Sequence, residues 1–351
     1  MSSTTLRTTE SRPPASRLCV GFPDAAGDDG IDFVANKARS IETQYAICNG
    51  FGFGGVNASA LFRRARPSTE RLNLEKEEII MNKTNSSVAL ITGASSGIGK
   101  ATAKALLAAG YRVFGTSRRA TPETLDGLTM LTCDVTDEDS VAKMVENVLA
   151  ETGRIDLLVN NAGMGLLGAA EESSTAQART LFDVNVFGVL RVTNAVLPTM
   201  RRQRKGRIVN VSSVQGFIPA PYFALYSSTK HAVEGYSESL DHELRAFGIR
   251  VVLVEPAYTR TSFEDNLARP DRLLDIYNSA RAGVNAAVRE AMEKGDAPEI
   301  VAESILAAAT DPSPKRRYAA GKMARQVSFL RRFVPASAFD KSLRKQLRLP
   351  I

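Results

Sequence analysis

Tryptophan is absent, histidine occurs twice and cysteine three times in 351 residues. Cys19, Cys48 and Cys133 are far apart, odd in number and match no metal-ligand spacing. Neither a disulfide framework nor a cysteine-held metal is therefore expected, and a reducing cytoplasm is the expected home. His231 and His242 alone supply no histidine cluster for a metal. No stretch approaches the roughly 18 consecutive apolar residues that a membrane span needs. The first twenty residues mix Thr, Arg, Pro and Ser, without the apolar core of a secretion signal. What is present, 44% hydrophobic and 24% charged residues, is the make-up of an ordinary globular protein. The length allows one large domain or two modest ones.

Charge is uneven along the chain. Basic and acidic residues balance over residues 1–80, ten against ten, and nearly balance over 81–313, 24 against 27. Residues 314–351 carry eleven basic side chains against Asp340 alone. Phe329, Leu330 and Phe333 lie among Arg325, Arg331 and Arg332 in this tail. Such a pattern predicts an amphipathic helix packed on its own domain, the alternative being weak peripheral contact with an anionic membrane. No nucleic-acid-binding module is present, so nucleic acid is not an expected partner.

Residues 1–80 read as a separate extension. Cys48-Asn49-Gly50-Phe51-Gly52-Phe53-Gly54-Gly55-Val56-Asn57-Ala58-Ser59 is a glycine-dense loop that opens onto a short strand, Ser59 to Phe62. No helix signal or Lys-Ser/Thr follows, so it is not a phosphate loop. Residues 13–66 resemble the C-terminal end of β-ketoacyl synthases, most specifically at Asn49–Ser59, but without that family's catalytic Cys and His. About fifty residues from the end of a larger fold bury little surface alone, which predicts poor order. Lys76-Glu77-Glu78 can be encoded by a purine-rich run like a bacterial ribosome-binding site just before Met81. The expectation is a functional protein beginning at Met81, with a fusion scar or a neighbouring gene's tail upstream.

From Ser87 the pattern becomes strand, turn, helix, repeated. Val88–Ile91 is a short apolar run, followed by Thr92-Gly93-Ala94-Ser95-Ser96-Gly97-Ile98-Gly99 and a helix over Ala101–Ala109 closed by Gly110. Small residues where a strand turns into a helix N-terminus let a dinucleotide pyrophosphate approach the backbone. Tyr111–Thr116 is a second strand, ending in Ser117-Arg118-Arg119. An acidic residue there would bind a ribose 2′-hydroxyl, whereas Ser117 and Arg118 suit a 2′-phosphate, so NADP(H) is preferred over NAD(H). Met130–Val135 is a third strand, placing Asp134 and Val135 at the adenine, and Ile155–Val159 a fourth, leading to Asn160-Asn161-Ala162-Gly163. Repeated βα units with their loops at strand C-terminal ends predict an α/β fold with a doubly wound parallel sheet.

Gly206–Ser213 is a fifth strand ending in two serines, and thirteen residues past Ser213 comes Tyr226-Ser227-Ser228-Thr229-Lys230, opening a helix through Leu244. Tyr226 and Lys230, at i and i+4, share a helix face. A tyrosine has a reference pKa of about 10, so work as a base near neutrality needs roughly 4 kcal/mol of differential stabilisation. An adjacent ammonium and a cationic nicotinamide ring supply that kind of field. Cys133 is expected to be buried and inert, and His231 and His242 to be ordinary helix residues.

The nucleotide turn, Asn160–Gly163, Ser213 and Tyr226…Lys230, in this order and spacing, resemble the short-chain dehydrogenase/reductase family over about residues 86–351. The resemblance implies a seven-stranded Rossmann sheet and a cofactor held by Gly93, Ser95, Ser96, Gly97, Ile98, Gly99, Ser117, Arg118, Asp134, Val135, Asn161, Tyr226, Lys230 and Thr261. It implies Tyr226 as general acid/base, Ser213 as hydrogen-bond partner of the substrate oxygen, and Lys230 as the group that lowers the Tyr226 pKa. Asn185 would complete a proton relay through a water. Ala257 stands where the family has Gly. Residues 262–298 would form a substrate lid, with Phe263, Leu267, Leu273, Leu274, Ile276 and Tyr277 as its apolar contacts. Dimers or tetramers through the helices of Asn185 and Tyr226 are also implied.

These readings together predict an NADP(H)-dependent oxidoreductase that interconverts a hydrophobic alcohol and its ketone or aldehyde. The alternative is a 3-oxoacyl-thioester reductase of fatty-acid or polyketide synthesis. A nicotinamide-binding regulator with negligible catalysis is the alternative of another class.

Overall fold

The computed structural model describes residues 86–119, 127–261 and 267–350 in full, with the backbone of short strands at 17–18, 39–40, 45–51, 57–63 and 123–125. The chain divides into two units, Met1–Met81 and Asn82–Ile351. In the first, Tyr45–Phe51 pairs antiparallel with Asn57–Arg63, and Asn49 lies opposite Ser59. The described ends of the glycine-dense segment thus lie on two paired strands, the second starting at Asn57, two residues before the expected Ser59. The expected poor order of residues 1–80 and the expected start at Met81 fall largely outside the described residues.

The second unit is built on eight strands. In chain order they are β1 (Val88–Ile91), β2 (Arg112–Ser117), β3 (Glu123–Leu125), β4 (Leu128–Thr132), β5 (Leu157–Asn160), β6 (Gly206–Val211), β7 (Ile249–Pro256) and β8 (Arg317–Ala320). Their order in the sheet is β8-β7-β6-β5-β1-β2-β4-β3. Seven are parallel; the three-residue β3 adds an antiparallel edge that the sequence reading lacked. The helices are α1 (Gly97–Ala108), α2 (Glu138–Thr152), α3 (Thr175–Phe182), α4 (Gly188–Gln203), α5 (Ala224–Leu244), α6 (Asn278–Glu293), α7 (Pro298–Thr310), α8 (Gly321–Phe333) and α9 (Ala336–Gln346).

Continuous apolar runs such as Val88-Ala89-Leu90-Ile91 follow from burial on both faces, because successive side chains of a strand point opposite ways. Val88 and Leu90 join Phe114, Ile208 and Val251 in one core, under α2, α4 and α5. Ala89 and Ile91 join Val113, Val209 and Val252 in the other, under α1 and α7. Among the described residues the helical stretch Thr175–Gln203 is long and apolar enough to cross a membrane by length and composition alone, although Asp183 and Arg191 interrupt its apolar residues. Half of it is buried, and Val192, Val196 and Met200 belong to the first core.

β1 has β2 on one side and β5 on the other, so the chain reverses its direction of travel across the sheet there. A crevice opens beyond the strand C-termini at such a switch point. Side-chain bonds fix its two lips. The Thr92 hydroxyl accepts from the N–H groups of Asn161 and Ala162, each at 3.0 Å. Asn161 Nδ2 donates back to the carbonyls of Thr92 (3.0 Å) and Gly93 (2.9 Å).

Candidate active site

The described residues line one continuous cleft of about 1230 Å³ along the strand C-termini. Its first arm is the turn from β1 into α1. Gly97 has φ +52°, and a Cβ there would lie 3.1 Å from Thr261. A Cβ on Gly99 would lie 2.2 Å from the Gly93 carbonyl oxygen and 2.6 Å from Asn161 Nδ2. Gly99 does not line the cleft; its missing side chain lets α1 close onto the strand end. The Ser96 side chain does not cap α1, so the helix N-terminal turn faces the cleft with its positive dipole end. These features fit a dinucleotide pyrophosphate.

Gly93, Ser95, Ser96, Gly97 and Ile98 line this arm, as do Ser117, Arg118, Asp134, Val135, Asn161 and Thr261. β4 ends at Thr132 rather than Val135, because Asp134 turns the chain on itself. Its Oδ1 accepts from the Thr136 N–H at 2.9 Å and the Thr136 hydroxyl at 2.8 Å. Those bonds, the backbone one foremost, hold the Asp134 carboxyl below its ordinary pKa, with smaller help from Arg118 and Arg191. Cys133 is buried, and desolvation pushes its thiol up to about 11.

The second arm holds the reactive side chains. Ser213 ends the loop after β6, and its Oγ accepts from the Gln215 N–H at 3.2 Å. Its hydroxyl is also hydrogen-bonded to the buried Tyr226 on the first turn of α5. Lys230 Nζ, one turn on, lies 5.7 Å from the Tyr226 ring centroid and donates to the Val211 carbonyl at 2.9 Å. Lys230 is not among the groups that shift the phenol here. Burial pushes it up to about 12, opposed only by the bond to Ser213. Burial also pulls the Lys230 ammonium down to about 8, with Glu234 opposing. Desolvation acts on both groups at once, raising the phenol and lowering the ammonium.

Asn185 does not line the cleft. It sits in a π turn, Asp183–Phe187, between α3 and α4. Its Oδ1 accepts from the Met164 N–H at 2.9 Å, and its Nδ2 donates to the Met164 carbonyl (2.8 Å) and the Thr229 hydroxyl (3.1 Å). The side chain therefore ties the Asn161–Met164 loop to α5, with both Nδ2 hydrogens engaged.

The substrate side of the cleft is mainly apolar, with Gln326, Ser342, Gln346 and the ion-paired Glu290, Lys294 and Arg348 also along its lining. Phe223 packs against Tyr226 with ring centroids 6.2 Å apart. Tyr226, Phe223, Val284, Val288 and Leu347 share one buried cluster. Met323, Leu330, Phe339, Leu343 and Leu347 of the C-terminal helices complete the wall. Of the lid contacts, Leu267 lines the cleft, whereas Phe263 lies outside the described residues. Leu273 and Ile276 are exposed, and Tyr277 stacks edge-on against Tyr222 at 6.3 Å.

Sequence reasoning missed several contributors. Gln215 lines the cleft and accepts from the Ser227 hydroxyl at 2.8 Å, bracing the Ser213 loop against α5. A buried ladder runs from Asn160 Nδ2 to Thr193 (3.0 Å) and Asn210 (2.9 Å), and from Asn210 Nδ2 to Ser237 (2.8 Å). It fixes α4 and α5 to the sheet. Polar residues inside apolar strands (Asn160, Asn210) were the signal for it. Glu234 is buried one turn beyond Lys230, pairs with Arg317 of β8, and is pushed up to about 7 by burial and by Glu255.

Residues 87–272 match the family model described as short chain dehydrogenase. Among curated proteins, the chain is 47% identical over 179 residues to a 3-ketodihydrosphingosine reductase of Bacteroides thetaiotaomicron, covering 51% of this chain and 66% of that one. It is 36% identical over 279 residues to an uncharacterized oxidoreductase of Bacillus subtilis, covering 75% and 99%. Among solved structures, a short-chain dehydrogenase of Streptomyces avermitilis superposes with TM-score 0.62 at 35% identity, covering 75% of this chain and 95% of that one. Two others, both 28% identical, hold different nicotinamide cofactors. The protein ElxO, with NADP bound, has TM-score 0.56 and covers 66% of this chain and 96% of its own. A Burkholderia phymatum enzyme, with NAD, has TM-score 0.59 and covers 67% and 89%. The matched model begins at residue 87 and gives no support to the synthase resemblance of residues 13–66.

Proposed function

This chain belongs to the short chain dehydrogenase family, and from that premise we propose that it is an NADP(H)-dependent reductase of ketones carrying a long apolar chain. One observation carries the reading. The Tyr226–Ser213 pair sits where the arm fitted to a dinucleotide meets an arm walled by Phe223, Leu330, Leu343 and Leu347.

A nicotinamide cofactor, when bound, supplies the hydride to the carbonyl carbon. Ser213 and Tyr226 then face the carbonyl oxygen. The Ser213 hydroxyl donates a hydrogen bond to it, and the Tyr226 phenol gives it a proton. A phenol held near 12 by burial is fully protonated at neutral pH, so it enters the reaction as an acid. That state suits carbonyl reduction better than alcohol oxidation. Lys230, fixed by the Val211 carbonyl, carries positive charge toward the phenolate that remains. The Asn161 side chain keeps the Gly93 turn in place for the pyrophosphate.

The preference for NADP(H) rests on Arg118 and Ser117 at the β2 end, where no carboxylate is offered to a ribose 2′-hydroxyl. Apolar lining supports the substrate class, as does the named substrate of the Bacteroides relative, a ketone on a long-chain base. Assembly as a homodimer or homotetramer through α4 and α5, in the cytoplasm, belongs to the same proposal, and light scattering gives the mass.

The test is NADPH oxidation by the full chain with 3-ketodihydrosphingosine, long-chain ketones, retinal, ketosteroids and 3-ketoacyl thioesters, with NADH in parallel. Turnover of the long-chain ketones with NADPH, at least tenfold above NADH, is the expected result. Preference for thioesters would move the activity to 3-oxoacyl reduction. No turnover of any carbonyl, with cofactor still bound, would leave a nicotinamide-binding regulator.

A further inference from the structure

Four large apolar side chains on α8 stand in water: Met323 is 41% exposed, Leu330 44%, Phe329 62% and Phe333 63%. Isolated exposed apolar residues are ordinary, but a contiguous group of this size marks an interaction surface. Helical periodicity separates the four into two faces. Met323, Val327, Leu330 and Val334, spaced i, i+4, i+7 and i+11, line the cleft. Phe329 and Phe333 lie on the neighbouring face, outside the cleft lining, with ring centroids 4.7 Å apart. Lys322, two turns before Phe329, shares their face.

Cations flank these rings on α8 and recur along α9. The Arg332 guanidinium lies 5.6 Å from the Phe333 ring. Lys322, Arg332, Lys341 and Lys345 are exposed, and among the described residues no ion pair holds them. Other tail cations are engaged, Arg317 by three carboxylates and Arg348 by Glu290 at 2.8 Å. With eleven basic residues and one acid over 314–351, the surface asks for an anionic partner with an apolar layer beneath its charge.

We propose that α8 and α9 dock on an anionic lipid bilayer. Phe329 and Phe333 enter the boundary between headgroups and acyl chains, while Lys322, Arg332, Lys341 and Lys345 sit over the acidic headgroups. The mouth of the cleft, rimmed by Met323 and Leu330, then opens at the lipid surface, so a long-chain ketone passes in without crossing water. Delivery in this form rests on the proposed reductase activity; the docking itself does not. A second copy meeting this face across a two-fold axis would bring its own cations against these, which disfavours that occupant. An acidic carrier protein would answer the charge but not the exposed Phe329 and Phe333 rings.

Sedimentation of the full chain with vesicles tests the proposal. Vesicles of phosphatidylglycerol and phosphatidylcholine are expected to bind it at least tenfold more tightly than phosphatidylcholine alone. About 0.5 M salt should weaken that binding, since screening shortens the reach of surface charges. F329A/F333A and K322E/R332E should each lose tenfold or more, while turnover of a short, water-soluble ketone stays unchanged. Equal binding to both vesicle types, or variants that bind like the parent, would overturn docking. So would F329A/F333A halving the particle mass in light scattering while leaving vesicle binding intact, which would assign the face to a contact between copies. Vesicle binding without reduction of any carbonyl would retain the docking surface and remove the reductase reading.

Discussion

Arg317 of the edge strand β8 is ion-paired with Glu234, which lies one helical turn beyond Lys230 on α5. The same guanidinium reaches Glu255 at 2.7 Å and Glu238 at 3.1 Å. Glu234 and Glu255 are both buried. One cation from near the C-terminus thus keeps two carboxylates tolerable beside the loop that carries Ser212 and Ser213.

Replacing Arg317 with Ala should therefore be costly in a pH-dependent way. Breaking a fully buried ion pair costs about 3–5 kcal/mol. A guanidinium that keeps about a third of its surface in water should cost less, roughly 2–3 kcal/mol at pH 8. Glu234 is raised in the folded protein from an ordinary 4.5 to about 7. The folded state therefore holds a proton between those values that the unfolded chain has released. Stability carried by that group is full below about 4.5 and declines as pH rises toward 7. Protonating Glu234 removes a charge that Arg317 would otherwise neutralise, so the loss in R317A should shrink at pH 5.5. Denaturant midpoints of parent and variant at pH 5.5 and 8 measure this; a loss independent of pH would refute the coupling.

Tyr226→Phe removes the proton donor and keeps the ring that packs on Phe223. General acid catalysis contributes about 10²–10⁴-fold. Turnover should fall by about 10³-fold, with NADPH affinity within about threefold of the parent, since the ring and Lys230 remain. Single-turnover absorbance at the nicotinamide band and equilibrium fluorescence titration read the two quantities separately. An unchanged rate would place the proton transfer elsewhere.

Much of this was legible because its determinants are local. The apolar run Val88–Ile91 forms a strand as read, the strand read as Gly206–Ser213 runs from Gly206 to Val211, and the glycine turn opens a helix as read. Helix α1 starts at Gly97, earlier than the expected Ala101, because the turn itself winds into its first residues. What stayed hidden depends on contacts far apart in sequence. Nothing near Glu234 announces Arg317, which only the parallel pairing of β8 with β7 brings alongside. The tail's pattern predicted one amphipathic helix packed on its own domain, not the pair α8 and α9, nor that Leu347 would share a cluster with Tyr226. Asn185 was found by resemblance, and only geometry shows its side chain bound to Met164 and Thr229.

Gly99→Ala probes the close approach of α1 to β1. Its Cβ would meet the Gly93 carbonyl at 2.2 Å, a backbone atom that no side-chain rotation moves away. Overpacking of this kind costs about 1–3 kcal/mol. Relief requires tilting α1 outward, which displaces the N–H groups that face the pyrophosphate. The melting temperature should fall, and the Kd for NADPH should rise at least tenfold. Calorimetry and fluorescence titration check the two together; a fall in stability with unchanged Kd would separate α1 from cofactor binding.

Leu347→Ala tests whether the C-terminus shapes the substrate arm. Leu347 is nearly fully buried, lines the cleft, and shares its cluster with Tyr226, Phe223, Val284 and Val288. Truncating such a leucine typically costs about 2–5 kcal/mol, the lower end applying where the cavity collapses or fills with water. Because this cavity opens onto the cleft, about 2 kcal/mol is the expected loss. The removed surface also belongs to the wall along which an apolar chain would lie. KM for a long-chain ketone should rise about tenfold, while kcat with a short ketone and KM for NADPH stay within about threefold. Steady-state kinetics with ketones of increasing chain length separate a lost wall from a general loosening. A wall defect grows with chain length, whereas a loosened Tyr226 lowers kcat for every ketone alike.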